Sequence, residues 1–308
     1  EAGPDGILGT ADDGTGDEVT DANGNYQFSG IPEGIYFVKI QTSEFAQGGP
    51  LAATPLSSEA VEPNANGNAD NDNNGVQMGG AGGMVMSNPF TLTSGDEPTV
   101  EPGQGGTQDN THPYVDANGN MTIDFGFAPE VSVGSVVFAD YDNDGVYEPQ
   151  DLENGISGVV LELFDLGQNG TKEADGTGDD QLIGTTTTDA DGVYLFDELY
   201  EGQYYIKVQN SQFAAGGELN GAVSSTDVAT TGADNGTDND DNGQAMGEVG
   251  AANYMVMSPI FALTAGAEPT GLTEGGPGGT QDDTYPSVDA NGDMTVDFGF
   301  VPTLSIGS

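Results

Sequence analysis

The chain contains no cysteine and no arginine, and it carries three lysines and one histidine in 308 residues. Without cysteine, disulfides cannot staple the fold, and zinc–thiolate sites and cysteine nucleophiles are excluded. Three cationic side chains stand against 51 Asp plus Glu, a formal net charge of −48. Nucleic acid is thereby excluded as a partner, because phosphate binding needs clustered cations. Anionic membrane surfaces are excluded for the same reason. No apolar run is long enough to cross a bilayer, so no membrane insertion is expected. So dense a negative charge repels itself and opposes compaction unless bound cations neutralise part of it.

What the chain does have is an internal repeat. Residues Val19–Leu51 return as Thr187–Leu219 at an offset of 168, Met84–Thr99 as Met255–Thr270 at 171, and Asp116–Pro129 as Asp289–Pro302 at 173. A period of about 170 residues suits one independently folding domain and is too long for a solenoid repeat. The expected organisation is a first repeat over 1–129 lacking its opening strand and calcium loop, a complete second repeat over 130–302, and the start of a third at 303–308. Leu304–Ser308 (LSIGS) matches Val131–Ser135 (VSVGS). The simplest account is a window cut from a longer tandem array. The other account is a subunit whose Leu304–Ser308 fills the first-strand position of a neighbour by strand addition.

Short segments rich in β-branched and aromatic residues alternate with Gly, Asp, Asn and Pro clusters. Strands are expected at Val131–Ala139, Gly158–Phe164, Val193–Phe196, Gln203–Val208, Ile260–Thr264 and Met294–Phe300. Asp21–Gly24 and Asp189–Gly192 read as hairpin connections. Thr42–Gln47 and Asn210–Ala215 could each make a single helical turn. No stretch has sustained helical periodicity, so the fold class is all-β, in tandem antiparallel β-sandwiches.

The clearest chemical signal follows the first expected strand of the second repeat. Asp140, Asp142 and Asp144 occupy positions one, three and five of a loop. Gly145 is at six, the Val146 carbonyl at seven, and Asp151 at twelve, with Glu148 and Glu153 nearby. That is EF-hand loop spacing: hard oxygen donors converge on one Ca2+ and the Gly permits the sharp turn. Strands replace the usual flanking helices. A second acidic loop, with Asp234, Asp238, Asp240 and Asp241, matches Asp70 and Asp72 in the first repeat. A third cluster, Asp165 with Asp175, Asp179 and Asp180, corresponds loosely to Asp5 with Asp12, Asp13 and Asp17. Lys39 and Lys207 are equivalent, and both read as surface lysines along a strand. His112 has Tyr285 as its counterpart, so no Ser-His-Asp set can be assembled in the second copy. No enzyme is expected.

Phe138–Gly145, Asn154–Val160, Thr188–Phe196 and Tyr200–Val208 together resemble the calcium-binding B-type repeats of Sdr-family bacterial surface adhesins, the SdrD B-like domains. The stretches Asp238–Gly243, Leu263–Pro269 and Thr295–Phe300 look like the longer bacterial versions. The resemblance covers nearly all of Val131–Pro302 and Val19–Pro129. It implies an Ig-like, prealbumin-type sandwich, calcium-dependent rigidity and a place in cell-surface stalks. The family's acidic residue before the Gly-Ile pair falls on Glu153, so Asp151 and Glu153 compete to close the calcium shell. The expected function is a non-enzymatic structural repeat of an extracellular stalk or fibre, stiffened by Ca2+ and joined head-to-tail to other copies. The alternative is an adhesin module whose long loops bind a host protein or glycan.

Overall fold

A computed structural model describes residues 16–59, 61–62, 64–65, 71–99, 115–173, 178–225, 238–251, 253–270 and 288–302. Asp5, Asp12, Asp13, Asp70, Asp175, Asp234, His112, Tyr285 and Leu304–Ser308 lie outside the described residues. The described secondary structure is strands and short 3-10 turns, with no α-helix. The chain divides into two units, Glu1–Ala128 and Pro129–Ser308.

In the first unit the strands are short: β1 (Gly34–Tyr36), β2 (Lys39–Ile40), β3 (Leu56–Ser57), β4 (Gly75–Met78), β5 (Met84–Ser87), β6 (Phe90–Leu92) and β7 (Phe127–Ala128). They make three small antiparallel sheets, β1-β6, β2-β5-β4 and β3-β7. The buried cluster is correspondingly small, centred on Phe90 and Ile123, with Tyr36, Val38, Leu92 and Phe125 packed on it.

The second unit contains β8 (Val131–Ala139), β9 (Val160–Asp165), β10 (Gln181–Thr187), β11 (Val193–Leu199), β12 (Gly202–Val208), β13 (Ala222–Ser224), β14 (Gln244–Met246), β15 (Met255–Met257), β16 (Phe261–Leu263), β17 (Gly292–Asp293) and β18 (Phe298–Pro302). One sheet runs β10-β9-β12-β15-β14, with β16 also on β12. The other runs β11-β8-β18-β13, with β17 also on β8. Side chains of both sheets form one core, including Val133 and Val137 of β8, Leu161 and Leu163 of β9, Ile206, Phe261 and Phe298. This is a β-sandwich.

The period-2 pattern explains the strand faces, and β8 is buried along nearly its whole length because it is central in its sheet. Four details depart from the sequence reading. The strand expected over Met294–Phe300 is split, with β17 ending at Asp293 and β18 beginning at Phe298. The last strand, β18, pairs with β8 in parallel, as does β17, so the sandwich is not wholly antiparallel. The Asp189–Gly192 turn is not a hairpin within one sheet: β10 pairs with β9 and β11 with β8, so the turn carries the chain from one sheet to the other. The strand over Gln181–Thr187 was not foreseen, because its half-exposed Thr run has no apolar alternation. The 3-10 turns at Thr42–Phe45 and Asn210–Phe213 lie where single helical turns were expected.

Candidate metal centre

The loop that leaves β8 is shaped by its own carboxylates. Asp140 is fully buried; its Oδ1 accepts the Asn143 amide at 2.6 Å and its Oδ2 the Gly145 amide at 2.8 Å. Asn143 and Gly145 both have positive φ, 63° and 80°, which folds the chain back over Asp140. Asp144 Oδ1 accepts the Val146 amide at 2.9 Å. Glu153, also buried, closes the loop from the far side: Oε1 accepts the Tyr141 amide at 3.0 Å and Oε2 the Glu148 amide at 2.8 Å.

Two sets of three carboxylates converge here. Ligand atoms of Asp140, Asp142 and Glu153 all lie within 4.8 Å of one another, and so do those of Asp142, Asp144 and Glu148. Glu153, and not Asp151, joins Asp140. Asp151 sits in the exposed turn Pro149–Asp151, its amide donating to the Glu148 carbonyl at 2.8 Å. Glu148 bridges into the second set, and its carboxyl is raised above the usual range by desolvation and then by the charges of Asp151, Asp144, Asp142 and Glu153.

The two acidic loops that the sequence presents as separate lie side by side. Tyr147 N donates to Asn239 O and Asp241 N to Gly145 O, both at 2.8 Å, which sets Val146 opposite Asp240 in an antiparallel bridge. In a bridge of that kind Val146's own carbonyl is directed away from the partner segment. Asp140 N donates to Phe300 O at 3.0 Å, so the loop shares one end of the unit with the outgoing strand β18.

The second loop is used differently. Asp241 is fully buried, its Oδ1 accepting the amides of Gly243 at 2.8 Å and Gly299 at 3.0 Å, its Oδ2 the Ser225 hydroxyl at 2.8 Å. Asp238 contacts Asn239 Nδ2 at 2.7 Å and Ser135 Oγ at 3.5 Å. Asp240 is nearly buried and Asp72 half-buried. Among the described residues none of these four falls in a group of three carboxylates. Asp297, which sequence reasoning missed, ties the loop to β8. It is fully buried and accepts the Val136 amide at 3.2 Å and the Asn239 amide at 2.9 Å. Burial, then the nearby Asp238 charge, push its carboxyl well above the usual range. The TVDFGF pattern hides it: Val296, Phe298 and Phe300 take the core-facing positions, so period-2 alternation puts Asp297 on the face expected to be exposed.

A third convergence, Glu173 with Asp179 and Asp180, lies beside Tyr205, whose hydroxyl donates to Asp180 at 2.6 Å. Asp180 was expected in such a cluster; Glu173 was not.

The residues fit a hard cation. Asp140, Asp142 and Glu153 bring three carboxylates together with two of them buried. The two lysines of the second unit are engaged elsewhere: Lys172 donates to Ser258 O at 2.7 Å and Lys207 to Glu162 at 2.9 Å. Each carboxylate oxygen that holds one amide retains a second acceptor direction for an ion. Lys207 also corrects the expectation of a surface lysine. It is 8% exposed, paired with Glu162 and 5.7 Å over the Phe164 ring. Lys39, its equivalent, is exposed as expected.

Fold and site together define a β-sandwich module with convergent carboxylates on an acidic loop at one end. Residues 131–258 match the family model described as the SdrD B-like domain, and the second unit is a member of that family. The chain is 30% identical over 218 residues to serine-aspartate repeat-containing protein F of Staphylococcus epidermidis, covering 69% of this chain and 10% of that protein. It is 29% identical over 212 residues to serine-aspartate repeat-containing protein C of Staphylococcus aureus, covering 67% and 16%. The chain thus spans a small fraction of the length of the curated relatives it matches. Among solved structures it is similar to the major pilin SpaD of Corynebacterium diphtheriae, at 20% identity over 26% of this chain and 23% of that one. The TM-score there is 0.20, and the fold assignment rests on the strand pairing instead. Among the described residues no helix is long and apolar enough to cross a membrane.

Proposed function

We propose that the protein is a non-enzymatic structural module of a bacterial extracellular stalk or fibre, stiffened by Ca2+. The observation that carries this is the convergence of Asp140, Asp142 and Glu153 on the loop leaving β8, with Asp144 and Glu148 adjoining through Asp142. Asp140, Asp142, Asp144, Glu153 and the Val146 carbonyl would hold the ion, with Glu148 at its edge. Bound there, Ca2+ supplies positive charge that cancels carboxylate repulsion and ties residues 140–153 into one rigid loop. The protein's own residues do the rest: Asp140 and Glu153 fold the loop, and the 145–147 segment clamps it to residues 239–241. The Sdr-family relatives support a place on the cell surface.

Calorimetry on the full chain tests the assignment. Affinity is expected in the extracellular range, on the order of 10⁻⁴–10⁻³ M or somewhat tighter. Asp142→Ala with Asp144→Ala should lower Ca2+ uptake by one ion. Unchanged stoichiometry would remove these residues from the site.

A further inference from the structure

The first unit contains a groove of about 1240 Å³ with Tyr26, Phe28, Val38, Phe90, Ile123 and Phe125 in its lining. The second unit shows what fills this space. The equivalent residues, Tyr194, Phe196, Ile206, Phe261, Val296 and Phe298, are all 7% exposed or less, in the core formed with β8 and β9. There β8 lies between β11 on one side and β17 and β18 on the other. In the first unit the matching segments, residues 25–28 and 119–126, are not strands, and no β8 counterpart is present among the described residues.

The groove walls nevertheless keep their arrangement. Tyr26 donates its hydroxyl to the Ile123 carbonyl, as Tyr194 does to Val296. The Tyr26–Phe125 rings are 6.3 Å apart at 51°, and the Tyr194–Phe298 rings 6.2 Å at 52°. Tyr26–Phe28 and Tyr194–Phe196 are both edge-on, at 6.0 and 6.1 Å. A receiving site that keeps this geometry with no central strand among the described residues is pre-organised for one.

We propose that this groove receives a β8-type strand from a second copy of the chain, led by its Leu304–Ser308. This goes beyond the calcium reading and does not depend on it. The segment LSIGS reproduces the first five of the nine β8 positions. Ile306 stands where Val133 is fully buried, and Leu304 where Val131 is. Gly307 stands where Gly134 lies so close to the Tyr194 carbonyl that a Cβ would collide with it and crowd the Met294 sulfur. The donor therefore carries apolar residues where the core needs them and glycine where the receiving backbone, at Tyr26, leaves no room for a side chain.

The test is sedimentation velocity of the full chain across concentration, in millimolar calcium. Self-association is expected. It should be abolished by Ile306→Asp and by Gly307→Val. It should also be reversed by a synthetic peptide with the sequence of residues 131–145 but not by the same peptide carrying Gly134→Val. Circular dichroism of both tail variants should be unchanged, so that loss of assembly is told apart from unfolding. A chain that stays monomeric, or oligomers indifferent to the tail substitutions and to the peptide, would overturn the proposal.

Discussion

The two units repeat one sequence, yet among the described residues only the second shows a large closed core. Where they differ, the reason is a neighbouring strand and not the residue itself. Lys207 on β12 is buried because β9 lies alongside and offers Glu162; Lys39 on β2 is exposed because, among the described residues, β2 pairs with β5 alone. Phe298 is fully buried under β8, whereas Phe125 is only half-buried. Where neighbours are shared, the units agree to the level of single bonds. Asn73 Oδ1 accepts the amides of Gly75 and Gly126, and Asp241 Oδ1 those of Gly243 and Gly299. Asn120 Oδ1 holds the Thr122 amide and hydroxyl, and Asp293 Oδ1 those of Thr295. A neutral amide does in one unit what a carboxylate does in the other. Asp241 and Asp293 are therefore loop-forming acceptors whose charge is dispensable for the geometry.

The largest expected effect separates the units by calcium. The Asp140 loop belongs to the second unit, so chelation should lower that unit's unfolding transition and leave the first where it is. Stabilisation by an ion that binds only the folded loop is about 2.7 kcal/mol per site at a hundredfold excess over Kd. Scanning calorimetry in EDTA and in millimolar calcium reads this directly, and equal shifts in both transitions would break the comparison.

Next comes the lysine pair. Lys207→Ala leaves the partly buried Glu162 without its counter-ion and should destabilise by about 1–3 kcal/mol. Lys39→Ala should give no measurable change. Denaturant midpoints of the two variants check the contrast, and a comparable loss in both would mean that β2 is covered in solution.

Acid should act with opposite sign with and without calcium. The Asp297 carboxyl titrates higher in the folded chain than in the unfolded one. The stability it contributes is then fully present below the unfolded value near 3.9 and is lost as pH rises through the folded value. In EDTA, moving from pH 7.5 to 5.5 should raise the second unit's melting temperature. In calcium the same change should lower it, because protons compete for the ligands. The same sign in both buffers would show that the ion site does not govern this unit's acid response.

The smallest effect is the most discriminating for individual residues. Asp241→Asn copies Asn73 and should leave stability within about 0.5 kcal/mol, with calcium stoichiometry unchanged. Loss of an ion in that variant would make Asp241 a ligand after all.

Local pattern alone determined much of this protein. The bounds of β8 follow from four valines and a phenylalanine spread over nine residues, and the Asp140–Gly145 turn follows from Asp and Gly spacing, since both are decided by neighbours along the chain. The repeat is equally a property of the sequence. Tertiary structure decided the rest, because it rests on contacts between residues that are not chain neighbours, from 12 to 161 positions apart. Glu153 was selected over Asp151 by the side of the loop it faces. Asp297, just before β18, tied the second acidic loop to β8. The 145–147 and 239–241 segments were joined only when the sheets packed, and β18 took its parallel place beside β8. Side-chain identity made Lys39 and Lys207 alike, and the presence of β9 made one exposed and the other buried, since burial is a property of what packs against a residue.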